Sequence, residues 1–278
     1  QEELKTYEPF VNGVAGLFVP QTGIVDYKVV TKKYAFLFRK YEGELKLGAK
    51  VKDIKSVQGG IEVITSEGSS QRAKIVINCA GLYSDKVARM TGQKMNVKII
   101  PFRGEYYKLT DEKEHLVKNL IYPVPDPSFP FLGVHFTRMI GGGVEAGPNA
   151  VLAFQREGYT KKHIKLSELM ESLAWPGFQK VAFKYWNTGL GEMYRSFSKS
   201  AFTKALQKLL PDITEKDLRP GGAGVRAQAC DRQGGLIDDF LILENEIAIN
   251  VCNAPSPAAT SSLSIGKTIA EKALKRFQ

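Results

Sequence analysis

The chain has 278 residues, of which 43% are hydrophobic, so it can bury a substantial core and is not an intrinsically disordered protein. Its 39 Lys and Arg outnumber its 29 Asp and Glu, and the formal charge of +10 favours an anionic partner. The basic residues are scattered and form no nucleic-acid-binding motif, so we expect no nucleic acid among the partners. The three cysteines are far apart and the three histidines lack metal-ligand spacing, which argues against a disulfide framework and against a metal site.

The first third of the chain predicts a helix followed by a β-hairpin. Residues 34–41 are typical of a helix end, with Gly43 as the stop signal. Residues 51–57 and 61–65 are two apolar runs separated by a Gly-Gly turn, which predicts two antiparallel strands.

The sharpest local signal is a β-branched run, residues 74–78, that ends in Cys79, Ala80 and Gly81. Ser84 then predicts the N-cap of a helix over residues 86–90. A buried strand that runs into a small-residue turn and a helix lets the backbone approach a ligand, and the helix N-terminus favours negative charge. An ordinary strand–turn–helix connection explains the pattern equally well.

The middle of the chain predicts an antiparallel sheet, with strands at 99–109, 120–125 and 132–140. Residues 141–146 satisfy the GxGxxA dinucleotide fingerprint, but Gly-Pro-Asn follows directly and no helix opens there, so we predict a hairpin turn.

Residues 167–174 and 203–209 predict helices, with the Pro-Gly pair at 176–177 ending the first. Residues 221–224 predict a flexible connector, because three of the four are glycine. The chain then predicts a closing hairpin over 236–251 and a last helix over 263–277.

Three side chains could carry chemistry. Period-two alternation places His135 on the less apolar face of its strand, where it could accept a proton at neutral pH, although a structural histidine is the alternative. Arg226 follows Gly224 and Val225 at a glycine-rich strand entrance, and Arg103 precedes Gly104 in a similar setting. Either guanidinium would suit a carboxylate held by two hydrogen bonds. The alternative for either arginine is a structural ion pair, with Glu105 and Asp231 as candidate partners.

A set of longer motifs covers essentially the whole chain. They are TGIVDY (22–27), NCAGLYSD (78–85), PFRGEYY (101–107), YPVPDP (122–127), FLGVHFTR (131–138), GPNAVLAF (147–154), REGY (156–159), GVRAQA (224–229) and NAPSPAAT (253–260). On these motifs the chain resembles the L-2-hydroxyglutarate oxidase/dehydrogenase family of D-amino-acid-oxidase-like flavoproteins. That family begins with a strand and a GxGxxG turn that hold the FAD pyrophosphate, and neither precedes Leu4. We therefore expect a truncated FAD-binding domain, and weak or no FAD binding by these 278 residues alone.

The resemblance implies an α/β fold with two domains. Residues 1–93 and 221–278 would form the truncated FAD-binding domain, and residues 94–220 a substrate domain with a large antiparallel or mixed sheet. The implied reaction is FAD-dependent oxidation of L-2-hydroxyglutarate to 2-oxoglutarate, with hydride transferred to flavin N5 and electrons passed to oxygen or a membrane quinone. The implied location is cytoplasmic, or peripheral on a bacterial inner or mitochondrial inner membrane.

The resemblance also implies residue roles. His135 would be the base, and Arg226, Arg103 and Tyr107 would bind the substrate carboxylates. The FAD-binding positions would be Val51 to Val57, Cys79, Ala80, Gly81, Gly224, Val225, Asn253, Ala254, Pro255 and Ser256. Two alternatives stay open: the same fold acting on another hydroxy acid, an amino acid or glycerol phosphate, and a catalytically silent fragment that binds a carboxylate or a membrane partner.

Overall fold

In a computed structural model, residues 2–125 and 133–277 are described, and helices alternate with three β-sheets, which confirms the predicted α/β class. Residues 126–132, which include parts of two resemblance motifs and the start of a predicted strand, lie outside the described residues. No helix in the described ranges combines the length and the apolar character that crossing a bilayer requires.

The α-helices are α1 Glu2–Tyr7, α2 Tyr27–Lys40, α3 Ser84–Met90, α4 Leu166–Leu173, α5 Pro176–Lys184, α6 Trp186–Phe197, α7 Lys199–Leu206 and α8 Ser262–Leu274. The strands are β1 Val51–Val57, β2 Gly60–Thr65, β3 Ser70–Ala73, β4 Val76–Asn78, β5 Val97–Leu109, β6 His135–Arg138, β7 Val144–Gly147, β8 Val151–Leu152, β9 Leu218–Asp231, β10 Leu241–Glu244 and β11 Ala248–Asn253.

The chain forms two compact units. The first consists of Gln1–Asp26, Phe102–Lys165 and Ala182–Arg226. The second consists of Tyr27–Pro101, Leu166–Val181 and Ala227–Gln278. Residues 1–26 therefore cluster with most of the predicted substrate domain. The roles that we predicted for two domains stay predictions.

The first unit contains a five-stranded sheet in the order β6-β7-β5-β8, with β9 also paired to β5. Phe202 and Leu206, one turn apart on α7, are fully buried with Phe136 of β6 in the hydrophobic core of this unit. The predicted strand over 120–125 is reduced to a single bridge between Ile121 and Phe136.

Of the two predictions for glycine-rich segments of the first unit, one is confirmed and the other is wrong. The turn at 141–143 is confirmed as a hairpin turn between β6 and β7, because the Met139 N–H donates to the Gly143 carbonyl at 2.9 Å. The predicted connector at 221–224 is wrong, since these residues lie within β9. A Cβ on Gly221 would stand 2.6 Å from the Tyr106 carbonyl oxygen, so glycine permits close strand pairing here.

The second unit has two three-stranded sheets. The predicted hairpin is confirmed as β1 and β2, which pair antiparallel and continue to β3. The other sheet has the order β10-β11-β4, in which β11 runs antiparallel to β10 and parallel to β4. Helix α8 packs Ile269 and Ala273, four residues apart, against Ile249 and Val251 of β11.

The helical segment before α7 was only partly predicted. Helix α4 matches the prediction within one residue at each end, but the proline at 176 begins α5 rather than ending the helical segment. Helices α5 and α6 were not predicted. Gly189 and Gly191 lower the helix propensity of α6, and its apolar residues face outward.

Candidate cofactor and substrate sites

A cavity of about 390 Å³ lies in the second unit, where the parallel strands β4 and β11 end. Ligands of open α/β sheets bind at the carboxyl ends of such strands. The cavity is lined by Cys79, Gly81, Ser84, Ala227, Val251, Cys252, Asn253, Ala254, Ala258, Ala259, Ser262, Ile265, Gly266 and Ile269.

The cavity wall consists of small and apolar residues. A Cβ added to Gly81 or Gly266 would meet no atom within 4 Å, so both glycines leave open space for a ligand. None of the described residues that line the cavity carries a carboxylate, amine, guanidinium or imidazole. Burial raises the pKa of the Cys252 thiol to about 11, so it stays protonated at neutral pH. Such a wall can hold a ligand through backbone groups and van der Waals contact, and it supplies no acid or base.

Two buried asparagines that the sequence reading missed hold the turn beside this cavity. The Asn78 amide nitrogen donates to the Asn250 side-chain oxygen at 3.0 Å and to the Ser84 carbonyl at 2.9 Å. The Asn78 oxygen accepts from the Ala80 N–H at 3.1 Å, and Asn250 donates to Thr91 Oγ1 at 3.1 Å. An asparagine within each of two apolar strand runs was the signal available in the sequence.

We expect Asn78→Ala to lower the free energy of unfolding by about 1–3 kcal/mol, because it leaves several buried polar groups without a partner. The matched control is Asn96→Ala at an exposed position of the same unit, which should change stability by no more than about 0.5 kcal/mol. Urea titration of both variants checks the prediction, and equal midpoints would contradict it.

The predicted cofactor residues fall into four groups. Cys79, Gly81, Asn253 and Ala254 line the cavity. Ala80, Pro255 and Ser256 belong to the same two turns without lining it, and Val51 and Val57 are the ends of β1. Gly224 and Val225 lie in β9, within the first unit. Ser84 is not the predicted cap: Tyr83 is the N-cap of α3, and Ser84 Oγ donates to the Cys252 carbonyl at 3.2 Å.

His135 begins β6 in the first unit, and its ring stacks on Tyr122 with 4.5 Å between centroids. His135 Nδ1 lies 3.0 Å from the Gly133 carbonyl oxygen, which can only accept a hydrogen bond. In the neutral ring, Nδ1 therefore carries the proton and Nε2 keeps its lone pair. Burial lowers the pKa of His135 below its ordinary 6.5, and the bond to Gly133 partly opposes that shift. The ring is neutral at pH 7 and can accept a proton.

Arg103 makes the ion pair with Glu105 that was the structural alternative to substrate binding. Its side chain is 3% exposed, and its Nε and Nη2 both lie 3.0 Å from Glu105 Oε1. Its Nη1 donates to the Gly158 and Thr160 carbonyls at 3.3 Å each. All three guanidinium nitrogens of Arg103 thus donate to groups of the protein itself.

Glu105 is the centre of a polar cluster that the sequence reading identified only in part. Besides Arg103, its carboxylate accepts hydrogen bonds from Asn149 Nδ2 at 3.0 Å and Ser196 Oγ at 2.7 Å. Lys161 Nζ adds an ion-pair contact at 3.8 Å. The cluster connects β5 to the segment after β7 and to α6.

The other two predicted substrate residues lie in the long strands of the first unit. Tyr107 of β5 packs edge-on against Phe202, with 4.8 Å between centroids, and burial raises the pKa of its hydroxyl. Arg226 is half-buried in β9. Their roles at a substrate stay predictions.

Comparison with known proteins places these features in a family. The family described as FAD dependent oxidoreductase matches residues 1–272. The chain is 65% identical over 277 residues to the L-2-hydroxyglutarate dehydrogenase of Indibacter alkaliphilus, which covers 99% of the chain and 69% of that protein. It is 45% identical over 271 residues to the L-2-hydroxyglutarate dehydrogenase of Escherichia coli K12, which covers 98% of the chain and 64% of that protein. The chain thus spans about two thirds of the length of these relatives.

Two solved structures share the fold at low sequence identity. The dithionite-reduced L-alpha-glycerophosphate oxidase of Mycoplasma pneumoniae, with FAD bound, is similar with a TM-score of 0.66 and 20% identity over 95% of this chain and 60% of that chain. The L-proline dehydrogenase of P. horikoshii is similar with a TM-score of 0.65 and 16% identity over 99% of this chain and 63% of that chain. At these identities the likeness shows the fold alone.

Proposed function

Since the chain belongs to the family of FAD-dependent oxidoreductases, we propose that its protein oxidises L-2-hydroxyglutarate to 2-oxoglutarate. The observation that carries this proposal is the 65% identity, over 277 residues, to a relative named L-2-hydroxyglutarate dehydrogenase. The formal charge of +10 suits a dianionic substrate, because it raises the local concentration of anions.

The second-unit cavity supports FAD as the cofactor. Its glycine and alanine wall, at the ends of two parallel strands, allows close approach of the backbone to a nucleotide. Cys79, Gly81, Asn253 and Ala254 would hold part of the cofactor there. Bound FAD supplies a two-electron acceptor for the hydride of the substrate α-carbon.

His135 is the base in this proposal. Its neutral ring presents Nε2 as a proton acceptor, and the Gly133 carbonyl fixes the tautomer through Nδ1. Taking the hydroxyl proton at Nε2 favours departure of the hydride from the same carbon.

Arg226 is the carboxylate-binding residue in this proposal, with Tyr107 as a second candidate. Arg103 is set aside, because its donors are used by Glu105 and two backbone carbonyls. Replacing Arg226 with Lys should lower kcat/KM for L-2-hydroxyglutarate by about ten- to a hundredfold, because a point charge replaces a bidentate donor. Steady-state kinetics on the flavin-loaded full-length protein measure the effect, and unchanged kinetics would remove Arg226 from the substrate site.

The electron acceptor is oxygen or a membrane quinone in this proposal. A membrane quinone as acceptor requires the protein to lie on the inner membrane of a bacterium or a mitochondrion. Relatives from Nematostella vectensis and Bos taurus are named as mitochondrial. Turnover with oxygen alone, compared with turnover with a soluble quinone under argon, separates the two.

A substrate panel tests the reaction itself. Flavin-loaded full-length protein is offered L-2-hydroxyglutarate, its D-enantiomer, L-proline, glycine and glycerol 3-phosphate, and the oxidised product of each is identified by mass spectrometry. We expect 2-oxoglutarate from the first compound and little turnover of the others. Faster turnover of an amino acid or of glycerol phosphate would assign the protein to another reaction of the same fold.

A further inference from the structure

His135 shares one face of the five-stranded sheet with Tyr106. In the pairing of β6 with β7, His135 lies opposite Gly147. In the pairing of β5 with β7, Tyr107 lies opposite Ala146, so the antiparallel register places Tyr106 opposite Gly147. Residues directly opposite each other in an antiparallel pair point to the same face of the sheet. His135 and Tyr106 therefore flank Gly147 from its two sides, and we call this side of the sheet the His135 face.

The other side of these strands is the hydrophobic core of the first unit. Phe136, Val144 and Ala146 are fully buried in this core, and Tyr107 packs against it. Because side chains alternate along a strand, Tyr106 points away from the core that Tyr107 contacts. Tyr106 is half-buried, like His135, so the His135 face is the side of the sheet on which a small polar ligand can reach both residues.

Gly147 leaves a gap between Tyr106 and His135. A Cβ at this position would stand 3.2 Å from Tyr106 Cδ1 and 2.8 Å from the Glu105 carbonyl oxygen. The ring of Tyr106 thus lies close over the backbone of β7, and no side chain of Gly147 separates it from His135. Glycine at this position keeps the space between the two rings open.

The Tyr106 hydroxyl is a hydrogen-bond donor at neutral pH. Burial raises its pKa, and the Glu145 carboxylate and the Tyr122 hydroxyl raise it further. Among the described residues, no group accepts a hydrogen bond from this hydroxyl. The Tyr122 ring also stacks on His135, with 4.5 Å between centroids, so the three rings form one polar group on the His135 face.

A cation balances the one carboxylate on this part of the His135 face. Glu145 of β7 lies opposite Lys108 of β5, and oppositely charged residues at such positions attract each other. Lys108 is two residues from Tyr106 and therefore on the same face of β5. A substrate carboxylate that approaches Tyr106 thus meets a hydroxyl donor with a positive charge on the same strand.

We propose that the Tyr106 hydroxyl donates a hydrogen bond to the distal carboxylate of L-2-hydroxyglutarate. Strand β7 separates β6 from β5, so the backbones at His135 and Tyr106 are two strand spacings apart, about 10 Å. When His135 takes the proton of the hydroxyl on C2, a group at this separation suits the C5 carboxylate better than the C1 carboxylate, which is bonded to C2. Tyr106 thereby selects a five-carbon dicarboxylate. This inference rests on the proposed function, in which His135 is the base.

Tyr106→Phe in the flavin-loaded full-length protein tests the proposal, because it removes the hydroxyl and keeps the ring. We expect KM for L-2-hydroxyglutarate to rise about tenfold or more, with kcat within threefold of the original, since a hydrogen bond to a charged group is lost. Glutarate, which has both carboxylates and no hydroxyl, should be a competitive inhibitor whose Ki rises by the same factor. The Ki of valerate, which lacks the distal carboxylate, should stay within twofold.

Tyr194→Phe is the control, because it removes the hydroxyl of an exposed tyrosine in the same unit. It should leave KM, kcat and both inhibition constants unchanged, and urea titration verifies that the two variants are folded. An unchanged KM in Tyr106→Phe would overturn the proposal. So would an equal rise in Ki for glutarate and valerate, or a loss that follows Tyr107→Phe instead.

The unaltered protein separates this inference from the proposed function. If it oxidises L-2-hydroxyglutarate and Tyr106→Phe has the same KM, only the role of Tyr106 is refuted. If the unaltered protein does not oxidise L-2-hydroxyglutarate, the proposed function is refuted, and the role of Tyr106 with it.

Discussion

Replacing His135 with Ala should lower the rate of flavin reduction by L-2-hydroxyglutarate about a hundredfold or more while flavin stays bound. The substitution removes the proton acceptor, Nε2, whose lone pair is available because Nδ1 donates to the Gly133 carbonyl. A hundredfold loss corresponds to about 2.7 kcal/mol of transition-state free energy. Stopped-flow absorbance of the flavin, after anaerobic mixing with substrate, measures the rate.

His115 provides the matched control for this substitution. Its Nδ1 also lies near a backbone carbonyl, that of Glu112 at 2.8 Å, but the residue is exposed. In the His115→Ala variant, L-2-hydroxyglutarate should reduce the flavin at the original rate. If His135→Ala yields folded, flavin-loaded protein with a near-normal rate, His135 has a structural role only.

The rate of flavin reduction by L-2-hydroxyglutarate should also depend on pH. Because burial lowers the pKa of His135, its imidazole takes a proton only below the ordinary value of 6.5. The rate of flavin reduction should therefore be level at pH 7 and above and decline at a pH below 6.5. A decline centred above 6.5 would contradict the assignment of this ring as the base.

Glu105→Gln should cost about 3–5 kcal/mol of the free energy of unfolding, the largest stability loss that we expect from a single substitution. The change leaves the guanidinium of Arg103 buried without its counter-charge. It also weakens the bonds that Asn149 and Ser196 donate to this carboxylate. Urea titration, monitored by circular dichroism, gives the free energy from the midpoint and slope.

Asp111→Asn is the control for Glu105→Gln, because it removes an exposed ion pair, rather than a buried one, in the same unit. Asp111 pairs with Arg219, and both side chains are largely exposed, so the pair is screened by solvent. We expect a loss of no more than about 1 kcal/mol. Equal losses in the two variants would show that the buried cluster contributes no more than a surface ion pair.

Much of the fold could be predicted from local patterns. The hairpin of β1 and β2, the strand–turn–helix at β4 and α3, and the closing pair of β10 and β11 are set by apolar periodicity and turn residues in short windows. The prediction of a flexible connector at 221–224 was wrong because a tertiary contact, not local sequence, determines the structure of this segment. Its glycines suggested flexibility, whereas pairing with β5 and the close approach to Tyr106 require them in a strand.

The parts of the site formed by local sequence could be predicted, whereas those formed by contacts between distant residues could not. The cavity turn at Cys79–Gly81 directly follows β4, and Asn253 ends β11 with Ala254 next to it, so sequence order located both segments. The asparagine pair joins residues 78 and 250, and the Glu105 cluster joins residues 105, 149 and 196. Such pairings depend on contacts distant in sequence, which no local window contains. Arg103 shows the consequence, since its buried ion pair was one of two open alternatives until its partners were located.

Anaerobic reduction of the bound flavin by the two enantiomers of 2-hydroxyglutarate tests the proposed oxidation most directly. Flavin-loaded full-length protein is mixed with each enantiomer in the absence of oxygen and quinone, and the absorbance of the oxidised flavin is followed. The proposal predicts full bleaching by L-2-hydroxyglutarate, with one 2-oxoglutarate formed per flavin, and little reduction by the D-enantiomer. An oxidised flavin that persists in excess L-2-hydroxyglutarate, in folded protein, would contradict it.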